Sequence, residues 1–280
     1  MVSSTSLDNG NRGASSRNGS GDAPADAVAI FAEVPELLQG LRSELAEALA
    51  ELRVPRLRLQ EGPWQPPESL TGCPFGLLIT RGVLVRRLTL GSRSGSELLG
   101  HGDMIRPWTP QPPVDTLAVD AEWQVLERCE LGMLDRDFAC RVARWPQVAA
   151  CLLDRAVERS RILAFQQLAS HLPHLESRLM ALLWMLADRW GRVTPDGVLL
   201  PIRLTHSTLA ELVGASRPSV SSTLKLLERS GLLDRNGGRW LLHRQTPPAL
   251  LGSTGADWIT ARPGPRARPS RRRPLPDVHG

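Results

Sequence analysis

Apolar residues along this chain follow a helical rhythm, lose it, and then regain it. From Pro35 to Leu52 the positions Leu37, Leu38, Leu41, Leu45, Ala48, Leu49 and Leu52 keep the spacing of one helix face. Between Leu57 and Leu134 the texture changes to short segments, among them Phe75 to Ile79, Val83 to Val85, Asp115 to Val119, Trp123 to Leu126 and Leu131 to Leu134. Turn signals separate them at Arg81-Gly82, from Gly91 to Ser96, and at Gly100-His101-Gly102-Asp103. Many short strands with regular glycine punctuation predict a small β-sandwich or barrel. Helical rhythm then returns. Asp135 to Arg144 predicts a short helix, and Pro146 fits the first turn of a longer one that runs to about Ser170. Its apolar stripe is wide: Val148, Leu152, Leu153, Ala156, Val157, Leu163, Ala164 and Leu168. Pro173 breaks it, a third helix is predicted over about His174 to Trp190, and Thr194-Pro195-Asp196-Gly197 reads as a turn.

The densest pattern follows. Leu204 to Gly214 predicts a short helix capped by Thr205, with Leu209, Leu212 and Val213 buried and Gly214 at the tight turn. Ser216 caps a second helix with Pro218 in its first turn, where a missing amide hydrogen costs little. Val220, Leu224 and Leu227 recur at helical spacing and must face a core, which turns Arg217, Ser219, Ser221, Ser222 and Lys225 outward. Two short helices joined by a glycine-containing turn form the helix-turn-helix layout. Small serines let a backbone approach a major groove, and arginine can fork onto guanine or phosphate. After Gly231, Leu232 to Trp240 predicts a hairpin with Asn236-Gly237-Gly238 at its tip, flanked by Arg235 and Arg239 as a wing on a phosphate backbone would require.

Composition changes this picture only slightly. The chain has 280 residues, a formal net charge of +5 and a pI of about 9.8, which permits nucleic-acid binding. Lys225 is the only lysine, and part of the positive excess is the arginine-rich end, Arg262 to Arg273. No apolar run approaches the roughly 20 residues a membrane helix needs. Residues 1–26 are rich in Ser, Gly and Asn with no apolar core, so no secretion signal is expected and the expected location is cytoplasmic. Cys73, Cys129, Cys140 and Cys151 include no Cys-x-x-Cys and are expected to be buried, inert thiols. No serine-hydrolase elbow, phosphate loop, dinucleotide fingerprint or zinc-protease motif occurs, so an enzyme is not expected. The competing class is a ligand-binding or protein-interaction module that has lost specific DNA binding; the polar and basic face from Ser216 to Lys225 argues against it.

The run from Leu204 to Leu233, above all Val213-Gly214-Ala215-Ser216-Arg217-Pro218-Ser219-Val220-Ser221, resembles the Crp/Fnr family of bacterial transcription regulators. A weaker likeness continues upstream in Gly76 to Val85, Glu97 to Asp103 and Trp123 to Phe138. The resemblance implies an α+β fold: a β-roll resembling a cyclic-nucleotide-binding domain at 27–145, a long dimerisation helix at 146–170, and a winged helix-turn-helix at 171–250. Disordered segments are expected at 1–26 and 251–280. It implies a homodimer on double-stranded DNA, with RNA polymerase as a further partner, no membrane partner and an unidentified small-molecule effector. The residues it implies at the DNA are Thr205, His206, Ser216, Arg217, Pro218, Ser219, Ser221, Ser222, Lys225, Arg235 and Arg239.

Two departures qualify the resemblance. Pro218 and Ser222 stand where well-known members carry Glu and Arg, so a different operator is expected, with Arg217 carrying more of the direct readout. The Gly-Glu-Leu run and Arg-Ser/Thr pair of cyclic-nucleotide binders are replaced by Gly102-Asp103-Met104-Ile105-Arg106-Pro107-Trp108, so a cyclic nucleotide is not expected. Clustered cysteines for an iron–sulfur centre are missing, and His101, His171 and His174 read as structural or solvated rather than as haem ligands. No cofactor is expected. His171 and His174 flank Pro173, where a protonation-sensitive hinge is conceivable.

Overall fold

The computed structural model describes residues 26–39, 41–108 and 117–243. The chain enters as β1 (Ala27–Ala29), α1 (Ile30–Glu33) and α2 (Ser43–Ala50). The continuous helix expected from Pro35 to Leu52 is therefore split. A 3-10 turn, Pro35–Leu38, precedes α2, because the segment bends so that Leu37 and Leu49 can both reach one core. Next come β2 (Arg53–Leu59), β3 (Gly62–Trp64), β4 (Gly76–Leu90), β5 (Arg93–Leu99), β6 (Met104–Ile105) and β7 (Val119–Leu134). They form one antiparallel sheet in the order β1-β2-β7-β4-β5, with β3 also on β7 and β6 on β4.

The strands are longer than the sequence pattern suggests. Phe75 to Ile79 and Val83 to Val85 belong to one stretch of backbone, and Trp123 to Leu134 is likewise uninterrupted. The turn expected at Arg81-Gly82 is a bulge: pairing slips between Ile79↔Leu131, Arg81↔Glu130 and Val83↔Glu127. Gly82 has φ +86°, and a Cβ there would collide with the Arg128 carbonyl oxygen. A bulge bends a strand without ending it, which is how β4 serves both halves of a curled sheet.

Helices α3 (Arg136–Val142) and α4 (Pro146–Ser170) follow, then α5 (Leu175–Trp190). Asp135 caps α3 by accepting from the Phe138 amide at 2.8 Å. The turn at Thr194 to Gly197 joins β8 (Arg192–Thr194) to β9 (Gly197–Leu200). Helices α6 (His206–Val213) and α7 (Arg217–Arg229) and strands β10 (Leu233–Asn236) and β11 (Arg239–Leu242) complete the described chain. A second sheet runs β10-β11-β9-β8.

The wide stripe of α4 resolves into two faces. Val148 and Leu152 are buried against α1 to α3 and the roll, whereas Leu153 (64% exposed), Val157 (42%) and Leu168 (67%) are open to solvent in the single chain.

One apolar core crosses from the β-roll into the carboxy-terminal domain. Val83, Val85 and Leu98 of the roll lie in the same cluster as Leu179, Leu183 and Leu186 of α5 and Val220 and Leu224 of α7. Ion pairs tie the roll to the helices and strands around it. Glu97, almost fully buried on β5, accepts from Arg159 of α4 at 2.6 and 2.8 Å and from Arg86 of β4 at 2.7 Å. Asp103 accepts at its backbone turn from the Gly100 amide at 2.8 Å and from Arg189 of α5 at 2.7 Å. Burial pushes the Asp103 carboxyl upward, with Arg189 opposing it. At the far edge Arg87 of β4 grips both carboxylate oxygens of Glu211 on α6, at 2.8 and 2.7 Å. The helix-turn-helix is thus held against the roll at α5 and α6, leaving α7 and the β10–β11 hairpin on the other side.

The cysteines fall partly outside expectation. Cys73 and Cys129 are buried, and burial pushes the Cys129 thiol up to about 12. Cys140 is exposed and Cys151 half-buried, corrections to the buried thiols expected there. Phe138 and Val142 take the inner face of the short α3 and leave Cys140 outside. No helix among the described residues is long and apolar enough to cross a membrane. The expectations for 1–25 and 244–280, the basic tail included, lie outside the described residues.

Candidate nucleic-acid interface

Local sequence chemistry builds the two-helix unit. The Thr205 hydroxyl accepts from the Thr208 amide at 3.1 Å and starts α6. Gly214 ends it in the left-handed region, φ +64°, where its missing Cβ removes the strain any other residue would feel. The Ser216 hydroxyl accepts from the Ser219 amide at 3.2 Å and starts α7, with Pro218 in the first turn. Val220, Leu224 and Leu227 are buried as the spacing requires, and Thr223 is buried beside them. Arg217, Pro218, Ser219, Ser222 and Lys225 are exposed.

The hairpin turns through Gly237 and Gly238, both at positive φ (+57° and +82°), the backbone that a two-residue type I′ turn demands. Register pairs Arg235 with Trp240 and Asn236 with Arg239. Directly paired residues share a sheet face, so Arg235 lies on the Trp240 face and Arg239 on the other. Trp240 is fully buried, and the Arg235 guanidinium sits 5.7 Å from its ring.

Between the hairpin and the start of α7 lies a groove of about 590 Å³, lined by Arg203, Thr205, His206, Arg217, Arg235 and the backbone of Gly237-Gly238. The Arg203 backbone amide donates to Glu127 at 3.0 Å, but among the described residues no carboxylate pairs with the guanidinium of Arg203, Arg217 or Arg235. His206 stacks on Trp240 (centroids 6.0 Å apart, planes 30°) and its Nδ1 lies 2.9 Å from the Ser221 hydroxyl. Burial, then Arg235 and Arg217, hold its proton affinity below the ordinary histidine range, with Lys225 adding to the effect and Glu228 opposing it.

Of the residues expected at DNA, the fold gathers Thr205, His206, Arg217 and Arg235 around this groove. Pro218, Ser219, Ser222 and Lys225 line the exposed flank of α7, and Ser216 ends it. Ser221 is half-buried beneath His206 rather than fully outward. Arg239 is exposed on the opposite face of the hairpin, away from the groove. Arg203 was not singled out in the sequence. Its signal was weak: a basic residue in the extended segment just ahead of the Thr205 cap. Such an arrangement presents unpaired guanidinium groups beside a helix start, which suits a polyanion that can be gripped at its backbone and read at its edges.

Residues 177–250 match the family profile described as the Crp-like helix-turn-helix domain. The chain is similar to the global nitrogen regulator of Synechococcus elongatus, with 34% identity over 76 residues, which is 26% of this chain and 34% of the relative. The matched segment therefore spans about a third of that relative's length. Among solved structures, a CooA mutant from Carboxydothermus hydrogenoformans aligns over 77% of this chain and 93% of its own (19% identity, TM-score 0.54). A cyclic nucleotide-binding domain containing protein from Listeria monocytogenes aligns over 67% of this chain and 88% of its own (16% identity, TM-score 0.53). At these identities the structures establish the fold: a roll resembling a cyclic-nucleotide-binding domain, followed by a helix-turn-helix domain.

Proposed function

From a Crp-like helix-turn-helix domain carried on the fold of the Crp/Fnr regulators, we propose that this chain is a sequence-specific DNA-binding transcription regulator of that type. The observation that carries the reading is the groove in which Arg203, Arg217 and Arg235 meet without a carboxylate partner beside the start of α7. Helix α7 enters the major groove with Arg217 toward the bases. Arg203 and Arg235 grip phosphates on either side, and Lys225 adds a further backbone contact. Thr205, Ser216 and Ser219 give hydroxyls at the helix starts, where backbone amides also favour phosphate. Pro218 and Ser222 pack small surfaces against the bases. Arg239, on the far face of the wing, makes at most a peripheral contact.

The chain works as a homodimer. Leu153, Val157, Ala164 and Leu168 recur on α4 at spacings of four and seven residues, a helix-pairing rhythm, and all are exposed in the single chain. Pairing of α4 with a second copy covers them and sets two α7 helices on one side of the duplex. Half-sites then fall about one helical turn apart in a roughly palindromic operator. On this reading residues 27–145 are the sensor-like roll, 146–170 the dimerisation helix and 171–250 the DNA-binding domain. The protein acts by binding rather than by catalysis, in the bacterial cytoplasm where the DNA is, and RNA polymerase is its partner once it is seated on an operator. Any effector it has is not a cyclic nucleotide.

Selection of genomic fragments with the purified protein, repeated with Arg217→Ala, tests the proposal. A palindromic motif whose recognition weakens in the variant by about 1–3 kcal/mol supports it. No motif, and a variant that binds as the parent does, leaves the domain an interaction module.

A further inference from the structure

His206 makes a hydrogen bond to Ser221 of α7, and that bond decides what Ser221 can offer to a base. A serine hydroxyl has one proton to donate and lone pairs to accept with. Nδ1 of His206 lies 2.9 Å from the Ser221 oxygen, and the ring is held in that position by its stack on the fully buried Trp240. If Nδ1 is bare, the serine proton is spent on it and only lone pairs remain for a base. If Nδ1 carries a proton, it donates to the serine oxygen, and the hydroxyl proton is free to point elsewhere. We propose that His206 is a positioning residue that sets the hydrogen-bond polarity of Ser221, and with it the base edge Ser221 reads. The inference rests on the DNA-binding reading given above.

The neutral ring is the resting form. The charged groups facing it are Arg217 and Lys225 from α7, Arg235 from the hairpin and Arg203 from the segment ahead of α6, with Glu228 of α7 the opposing charge. This surplus of positive neighbours, together with burial, keeps the second proton off until the solution is acidic. With Nδ1 engaged by Ser221, Nε2 is the remaining polar atom of a ring that lines the groove, and a proton there suits a phosphate seated in it. With its one proton on Nε2, the neutral ring accepts a hydrogen bond from the Ser221 hydroxyl at Nδ1. Ser221 then accepts, and the major-groove groups that donate to it are the amino groups of adenine N6 and cytosine N4. Guanine O6 and thymine O4 present lone pairs to lone pairs. Protonation of His206 reverses the preference: Nδ1–H donates to Ser221, whose own proton then reaches guanine O6 or thymine O4.

The experiment is a competition among operator duplexes that differ at single positions, run with the full chain at about pH 8 and at a lower pH where NMR shows the His206 ring carrying both protons, a point that burial and its positive neighbours place below the ordinary histidine value. Ratios between duplexes are read for one protein at a time, so changes in overall affinity or in the folded fraction cancel. Ser221→Ala identifies the position: the preference there disappears. At that position the parent favours adenine or cytosine over guanine and thymine by about fivefold at the higher pH, the worth of one net hydrogen bond. The preference moves toward guanine or thymine at the lower pH. His206→Phe, which keeps an aromatic ring against Trp240 but offers no nitrogen, loses both the preference and its pH dependence. A phenylalanine variant that keeps the parent's preference, a parent preference that is the same at both pH values, or a Ser221→Ala protein with an unchanged motif each overturns this inference while leaving the regulator reading intact. A parent that selects no motif at all removes both.

Discussion

Two clusters of arginines, built from the same side chain, have opposite fates in this molecule. Where the roll meets α4 and α5, Arg86, Arg159 and Arg189 each meet a buried carboxylate, Glu97 or Asp103, at 2.6 to 2.8 Å. Around the groove at α7, the guanidinium groups of Arg203, Arg217 and Arg235 pair with no carboxylate among the described residues. The first cluster spends its hydrogen bonds inside the protein and fixes how the domains sit; the second keeps them for something outside. Charge alone does not separate the two groups. Burial and the presence of an acidic partner do, because a guanidinium taken from water must be paired at once, whereas one left in water can wait.

The comparison breaks most clearly at Glu97. Glu97→Ala removes the carboxylate that Arg86 and Arg159 share and leaves Arg86 with no acidic partner, and is expected to cost about 3–5 kcal/mol of folding stability in urea unfolding. Arg217→Ala should leave unfolding within about 0.5 kcal/mol of the parent, so its loss of operator recognition is a loss of contact. Arg235→Ala is expected to weaken binding evenly across sequences and to lower the slope of log affinity against log salt by about 1. A loss confined to one operator position would instead move Arg235 from the phosphates to the bases. Smallest is Arg87→Ala at the half-exposed contact between the roll and α6, where Arg87 pairs with Glu211. Arg87 also meets Glu122 at 3.1 Å, and both pairs are solvent-screened, so a stability change below about 1 kcal/mol is expected in urea unfolding. A larger loss would mean that Arg87 packs rather than pairs.

The two faces of α4 make the same point in apolar terms. A single helix with one wide stripe satisfies two partners, since Val148 and Leu152 turn inward while Leu153, Val157 and Leu168 stay open. Periodicity counts apolar residues on a helix; it does not say how many surfaces they serve.

Much of the helix-turn-helix was legible because its determinants are local. Thr205 and Ser216 cap, Gly214 takes the left-handed turn, and Val220, Leu224 and Leu227 repeat within one helix, so each feature is set by residues a few positions apart. The roll was legible only as a texture. Its glycines were read as turns, yet Gly82 proved to be a bulge, because whether a glycine turns a strand or only bends it depends on what the partner strand does across from it. The short helix at Pro35 to Leu52 failed for a related reason: the core that Leu37 and Leu49 share is assembled by distant segments.

Sequence by itself therefore determined the succession of helices after Asp135, the capped pair of short helices, the outward positions Arg217, Ser219, Ser222 and Lys225 and the glycine tip of the hairpin. Tertiary structure alone decided the rest. It brought Arg203 beside Arg217 and Arg235, sent Arg239 to the opposite face, laid His206 over Trp240 so that it reaches Ser221, and carried one core from Val83 on the roll to Leu227 on α7. These are contacts between residues far apart in the chain, and no local spacing records them; they exist only once packing has chosen which faces meet.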